Sequence, residues 1–323
     1  MVLAYRNAFL IYNPVAGRVS RSGGRLLQRS IDALHAAGIQ VTPAPTTGPG
    51  TATEIAIRCV EEQADLILAL GGDGTINEVV NGMAGSQVPL GILPGGTANV
   101  LAMELRLGGD AVRVADKLTS NVPVRIATGY MSGSSDHAAR HFLTMAGIGL
   151  DAYVINHLNL DWKASVGKAA YWIAGFSQVG KKLAEFDVIA GGRTIRAGFA
   201  VCSRVRNYGG DLEIARTANL LDDSFELVAF EGDSVSRYLG YFYGVLAGTL
   251  KKMKGVTVMH VRRAEFVNPA EKGVYAQLDG ERMGRLPLTV EIVPNSLTLL
   301  MPERFVEQAQ KQRRDVSESV LAR

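Results

Sequence analysis

Leu66–Leu70 (LILAL) is a continuous apolar run, too short for a helix and unbroken in the way a strand is when both its faces are covered. It leaves through Gly71-Gly72-Asp73-Gly74-Thr75 into Ile76–Met83, whose apolar residues recur at helical spacing. The same succession of buried strand, small-residue corner and helix constrains the fold more than any other feature, because it repeats. Leu90–Leu93 passes through Pro94-Gly95-Gly96-Thr97-Ala98-Asn99 to a helix from about Val100, and Phe9–Tyr12 passes through Asn13-Pro14-Val15-Ala16-Gly17. Between these, Leu26, Leu27, Ile31 and Leu34 share one helical face with Gly38 as a stop, Ile39–Thr42 reads as strand, and Thr51–Gln63 reads as helix. Strands and helices alternating at such intervals imply a parallel sheet flanked by helices, so residues 1–123 are predicted to form an α/β domain.

Near Val122 the pattern changes. Strand-like runs dominate: Val124–Thr128, His141–Ala146, Phe186–Ile189, Thr194–Ser203, Phe225–Phe230, Val256–Val267, Val274–Leu278, Leu288–Val293 and Ser296–Met301. Helical stretches around Ser165–Leu183 and Val235–Lys252 interrupt them. Many strands with local turns predict a second, β-rich domain over 124–295, sandwich-like or barrel-like. The polar tail, 306–323, is expected to be flexible.

Composition narrows the function classes. The 323 residues are 47% hydrophobic and 20% charged, which suits a sizeable core. A net charge of +3 without a basic-aromatic motif argues against nucleic acid as a partner. The two cysteines, Cys59 and Cys202, form no CxxC, so neither a disulfide framework nor a zinc knuckle is expected. The N-terminal apolar run is too short for a signal peptide, and the greasiest stretch, Tyr238–Leu250, falls short of the ~20 residues that span a bilayer. A cytoplasmic chain is expected.

The corners carry the chemistry. Glycine allows positive φ and lets a ligand lie against bare backbone. A helix N-terminus offers unpaired N–H groups and a positive dipole end, which suits phosphate. Asp73 beside a phosphate calls for a divalent cation between the two negative groups, so the corner suggests nucleotide phosphate with Mg²⁺. The plainer alternative is a tight turn with Asp73 or Thr75 capping the helix. Further corners of the same kind at the carboxyl ends of neighbouring strands would face one crevice, which favours a ligand. No GxxxxGK[ST] is present. GIGLDA (Gly147–Ala152) matches a loose dinucleotide fingerprint, but no acidic residue follows at the required spacing.

These motifs resemble the diacylglycerol kinase-like lipid kinases of bacteria, with sphingosine and ceramide kinases as distant relatives, over nearly the whole chain. Gly71-Gly72-Asp73-Gly74-Thr75 with Asn77-Glu78 looks like that family's nucleotide loop. Asn13, Pro14 and Gly17 look like its first phosphate-side loop, Thr46 like its threonine near ATP, and Gly95, Gly96, Thr97 and Asn99 like its second glycine loop. The resemblance implies a first domain like that of NAD kinases and 6-phosphofructokinases, a β-sandwich after it, and a last strand, 296–305, returning to the first domain. NAD kinases share GGDGT but carry their Asn-Glu pair far downstream; here it follows the loop directly.

By the same resemblance Asp279, in QLDGER, is the base that takes a proton from a lipid hydroxyl, and Glu281 helps to hold the metal or a water. Asp-Gly between apolar runs is also a hairpin turn, and both readings are compatible. Asp223 with the carbonyls of Leu220 and Phe225 corresponds to a second Mg²⁺ loop, although Ser224 stands where the family has glycine; by composition alone Asp222-Asp223 is a solvated turn. Val100 replaces an aspartate found in many relatives. The segment Ser236–Lys254 reads either as a membrane-interface helix or as one packed on the sandwich, and Tyr171, Trp172 and Phe176 allow the same two readings. His137, His141, His157 and His260 show no ligand spacing.

The resemblance implies ATP and Mg²⁺ as cofactors and a membrane lipid as substrate, diacylglycerol first, giving phosphatidic acid. It further implies transient contact with the inner membrane surface, and it is compatible with a homodimer. The rivals are an NAD kinase-like enzyme with a soluble substrate and a non-enzymatic nucleotide-binding regulator.

Overall fold

The structure, a computed structural model, describes residues 5–133, 139–149, 183–208, 212–268 and 273–321. The helix expected around 165–183 lies outside them except for Leu183, and Tyr171, Trp172, Phe176, His137 and His157 lie outside entirely. The chain divides into two compact units: 1–128 with 219–222 and 293–323, and 129–218 with 223–292.

In the first unit, β1 (Ala8–Tyr12), β2 (Val41–Pro45), β3 (Leu66–Gly71) and β4 (Pro89–Pro94) are parallel, in the order β2-β1-β3-β4. The helices α1 (Gly17–Arg21), α2 (Arg25–Ala36), α3 (Thr51–Glu61), α4 (Asp73–Met83), α5 (Val100–Glu104) and α6 (Ala111–Asp116) connect or follow them. The continuous hydrophobicity of β3 is explained by burial on both faces. Leu66, Leu68 and Leu70 pack with Ile31 and Leu34 of α2 and with Val114 and Ala115 of α6. Alternation leaves Ile67 and Ala69, wholly buried too, for the face covered by α3 and α4. Gly82 lets α4 cross α3 closely: a Cβ there would lie 2.5 Å from Thr53 O and 2.7 Å from the Ala56 Cβ.

In the second unit, β7 (Met145–Gly149), β10 (Phe199–Ser203), β13 (Phe225–Phe230), β14 (Val256–Val261), β16 (Tyr275–Leu278) and β17 (Glu281–Arg285) form an antiparallel sheet, ordered β14-β13-β10-β7-β16-β17. A second layer holds β8 (Phe186–Ala190), β9 (Arg193–Ala197), β15 (Arg263–Val267) and the first half of β18 (Leu288–Pro302). Phe142, Phe186, Phe225 and Phe266 meet in the core between the layers. The expected sandwich is therefore present, with shorter strands. Val256–Val267 breaks at Arg262 into strands of different sheets, and Thr194–Ser203 breaks at Gly198. His141–Ala146 divides between β6 (Arg140–Phe142) and β7, while Leu288–Val293 and Ser296–Met301 join into β18. Strand β5 (Asn121–Gly133) pairs with β6, and β11 (Asn207–Tyr208) pairs with β12 (Leu212–Glu213). Helix α7 (Val235–Ala247) accounts for the second helical stretch.

The later half of β18 belongs to the first unit, where Thr298 and Leu299 pair in parallel with Pro89 and Leu90 of β4. Glu303–Leu321 is a helix, α8. Phe305, Val306 and Ala309 form a short buried stripe. Asn219 Nδ2 donates to Ala309 O at 2.9 Å, and Arg313 Nε meets Asp222 Oδ1 at 2.8 Å. Three well-placed apolar residues and these bonds outweigh the polar composition of the rest.

Candidate active site

In a parallel sheet every strand points its carboxyl end the same way, and the order β2-β1-β3-β4 reverses direction between β1 and β3. Ligands bind at such switch points, outside the carboxyl ends. The three small-residue corners lie there and are joined by main-chain bonds. Asn13 N donates to Leu70 O at 3.1 Å, Gly95 N to Gly71 O at 2.8 Å, and Arg18 N to Gly95 O at 2.9 Å. Thr46, buried just beyond β2, donates its N–H to Tyr12 O at 2.9 Å and so fixes a fourth loop to the group.

Close approach of backbone, rather than positive φ, explains the glycines. Gly71, Gly72, Gly95 and Gly96 all lie outside the left-handed region, and Gly72 is extended at φ −90°, ψ −176°. A Cβ on Gly96 would sit 2.4 Å from Gly72 Cα, one on Gly71 2.6 Å from Thr75 Cβ, and one on Gly17 3.1 Å from Thr97 Oγ1. The two glycine loops therefore touch main chain to main chain. Positive φ falls instead on Asn99, at +51°, where its side chain grips the loop: Gly96 N donates to Asn99 Oδ1 at 2.9 Å and Asn99 Nδ2 donates to Gly96 O at 3.0 Å.

Helix α4 begins at Asp73 with Gly72 as N-cap, and no side chain caps it. Its first N–H groups and dipole therefore meet whatever lies at the corner. Asp73 Oδ1 accepts Val100 N at 2.7 Å. Val100 thus contributes its backbone amide. Asn13 Nδ2 donates to Thr75 Oγ1 at 3.3 Å, Thr97 is exposed, and Pro14 lies on the exposed first loop. Gly74 occupies the first turn of α4.

Asn77 and Glu78 lie in the second turn of α4. Asn77 is buried, and Asn81 Nδ2 donates to its backbone O at 2.8 Å. Glu78 Oε1 accepts Gly50 N at 2.8 Å and Oε2 accepts Ala52 N at 3.1 Å. Glu78 therefore caps α3 from outside, a carboxylate on the positive end of a helix that has no side-chain cap at its own N-cap, Gly50.

In the second unit, Asp279 and Gly280 form the two-residue turn between β16 and β17, with φ +49° and +88°. Positive φ at both positions is what a type I′ hairpin requires. The Asp279 side chain turns to the corner between β6 and β7. Its Oδ1 accepts Thr144 N at 3.0 Å, Thr144 Oγ1 at 2.6 Å and Met145 N at 2.9 Å, and its Oδ2 accepts Leu143 N at 3.1 Å. Asp279 N returns a bond to Met145 O at 3.0 Å. Glu281 pairs with Arg140 Nη1 at 3.3 Å.

Around the expected second metal loop, Leu220 is buried in the first unit and Phe225 opens β13 in the second, while Asp223 is exposed. The adjacent Asp222 is held by Arg313. Among the described residues no three His, Cys, Asp or Glu side chains converge as metal ligands.

The profile described as the diacylglycerol kinase catalytic domain matches residues 7–131, the stretch that holds all the loops of the first unit described above. The chain belongs to the diacylglycerol kinase-like family. A second profile, the YegS C-terminal NAD kinase beta sandwich-like domain, matches residues 144–301 of this kinase. Diacylglycerol kinase of Bacillus subtilis strain 168 is 27% identical over 311 residues, covering 94% of this chain and 99% of the relative. Diacylglycerol kinase of Staphylococcus saprophyticus is 29% identical over 292 residues, covering 87% and 91%. A crystal structure of a diacylglycerol kinase from Bacillus anthracis strain Sterne has the same fold, with a TM-score of 0.74 at 21% identity over 94% of this chain and 99% of that one.

In this kinase Leu143 and Thr144 hold Asp279, and Arg140 holds Glu281. They carry no motif, and only the pairing of β16 with β7 brings them to the hairpin. A turn before β7 was the one available signal, and the apolar run His141–Ala146 concealed it.

Proposed function

We propose that the chain is an ATP- and Mg²⁺-dependent lipid kinase whose acceptor is the hydroxyl of a membrane lipid, diacylglycerol first, with phosphatidic acid as product. The observation that carries this reading is the woven cluster of loops at the sheet's switch point, with the uncapped start of α4 among them. Bare amides at Gly72–Thr75 suit the phosphates, with Gly95, Gly96, Thr97 and Asn13 alongside. Mg²⁺ is commonly held by one or two carboxylates together with substrate phosphates and water. Asp73 at the corner, without a protein cage among the described residues, fits that donor set. The ion supplies neutralisation of the charge on the transferring phosphoryl group.

In the transfer, the lipid oxygen bonds to the γ-phosphorus as the bond from that phosphorus to the β–γ bridging oxygen breaks. ADP leaves, and the hydroxyl proton passes to Asp279. The amides of Leu143, Thr144 and Met145 hold the Asp279 carboxylate in one orientation, which supports a positioned base and also serves the hairpin.

The test is transfer of radiolabelled phosphate from ATP into a total lipid extract and into soluble acceptors, including NAD. Label in diacylglycerol-derived phosphatidic acid is expected. Asp279→Asn should lose turnover at least ~100-fold while ATP binding persists. Label confined to a soluble acceptor, or undiminished turnover in a folded Asp279→Asn chain, would overturn the reading.

A further inference from the structure

Helix α7 is apolar on two faces, and its packing uses one. Tyr238, Tyr241 and Val245 are buried. The Tyr238 hydroxyl donates to Phe230 O at 3.1 Å, and the Tyr241 hydroxyl is shared between Glu231 O at 3.0 Å and Gly255 O at 3.1 Å. The rings of Tyr238 and Tyr241 also lie against Phe230, with centroids 6.5 and 5.4 Å away. This face anchors the helix to its unit.

Leu239, Tyr243 and Leu246, at i, i+4 and i+7, form a second face and are 45%, 71% and 57% exposed. Single exposed apolar residues are ordinary. A row of three large ones along two helical turns, on a helix already anchored by its other side, marks an interaction surface.

The surrounding charge selects the partner. Arg237, Lys251, Lys252 and Lys254 are exposed, and no acidic residue occurs between Ser234 and Lys254. Arg216 lies against Gly248 and is paired with Glu213 at 3.6 Å, so that pair adds no net charge. The centres of protein interfaces are depleted in lysine. Apolar and aromatic side chains beside a lysine cluster match the boundary between acyl chains and headgroups, where the chains bury the apolar row and anionic headgroups attract the lysines.

We propose that Leu239, Tyr243 and Leu246, with Lys251, Lys252 and Lys254, dock this kinase onto an anionic lipid surface. The inference rests on the reading of the substrate as a membrane lipid, and it adds the face that meets the bilayer.

The full-length chain is sedimented with vesicles of phosphatidylcholine alone and with increasing phosphatidylglycerol, without ATP. Binding that grows with phosphatidylglycerol and weakens with salt is expected. Combined Leu239→Ser, Tyr243→Ser and Leu246→Ser should lower the vesicle partition coefficient at least ~10-fold. Replacing the three lysines by glutamine should cost about 5-fold per lysine. Both sets should leave unchanged the phosphorylation of a short-chain diacylglycerol held below its critical micelle concentration. Absence of vesicle binding by the wild type, or binding by both variants at the wild-type level, overturns the docking surface. A wild-type dimer that the serine variant converts to monomer assigns the face to a second copy and overturns it as well. Failure of the lipid-kinase reading is seen separately, as no phosphorylation of the soluble diacylglycerol by the wild type.

Discussion

The contact between Gly72 and Gly96 leaves no room for a side chain on either loop. Gly96→Ala places a methyl carbon 2.4 Å from backbone, which cannot yield as a flexible side chain would. It should cost about 1–3 kcal/mol in urea denaturation and weaken ATP binding, because the loops must part. Gly48 is the internal control: it lies in the loop after β2, nothing stands within 4 Å of its added Cβ, and Gly48→Ala should stay within about 0.5 kcal/mol of wild type. The cysteines make a second case at this scale. Burial pushes the Cys59 thiol up to about 11 and raises that of Cys202 further. The thiolate is the reactive form, so at pH 8 neither native thiol should react with a disulfide reagent, and both should react in denaturant. Rapid labelling of the native chain would contradict their burial.

Among the elements, α3 and α4 act as one piece. Glu78 on α4 caps α3, Thr53 on α3 donates to Glu78 O at 2.9 Å, and Gly82 lets the two helices touch. Glu78→Gln keeps the shape but loses one acceptor, and should lower stability by about 1 kcal/mol in urea. The Mg²⁺ dependence of activity should not move; a shift would make Glu78 a metal-responsive residue and not only a cap. The strands show how far local pattern reaches at this scale. The break between β9 and β10 lies at Gly198, where a Cβ would meet Gly232 O at 2.7 Å and the Tyr238 hydroxyl at 2.8 Å. No residue pattern between Thr194 and Ser203 marks it, because the contact comes from more than thirty residues downstream.

For the whole molecule, the first unit is assembled from three stretches of sequence: 1–128, 219–222 and 293–323. Strand β4 takes its far neighbour from the last of these, and α8 is held by Asn219 and Asp222 from the second. Residues 1–128 alone leave one edge of β4 without that neighbour and the α8 surface uncovered. That fragment should lack a cooperative thermal transition by circular dichroism, whereas the complete chain should show one; a fragment that melts cooperatively would show the later stretches to be dispensable.

Period and punctuation along the chain determined the alternation of strand and helix in the first unit, the shift to strands after it, and the corners at the strand ends. These are short-range properties, carried by residues a few positions apart. The tertiary structure decided what the corners are against, and which groups the carboxylates hold. Glu78 meets amides 26 and 28 positions away, and Asp279 meets Thr144 across 135. It also turned the polar tail into a helix, by supplying a surface for Phe305, Val306 and Ala309. A hydrogen bond or a buried stripe is specified by both of its sides, and a linear reading contains one side at a time.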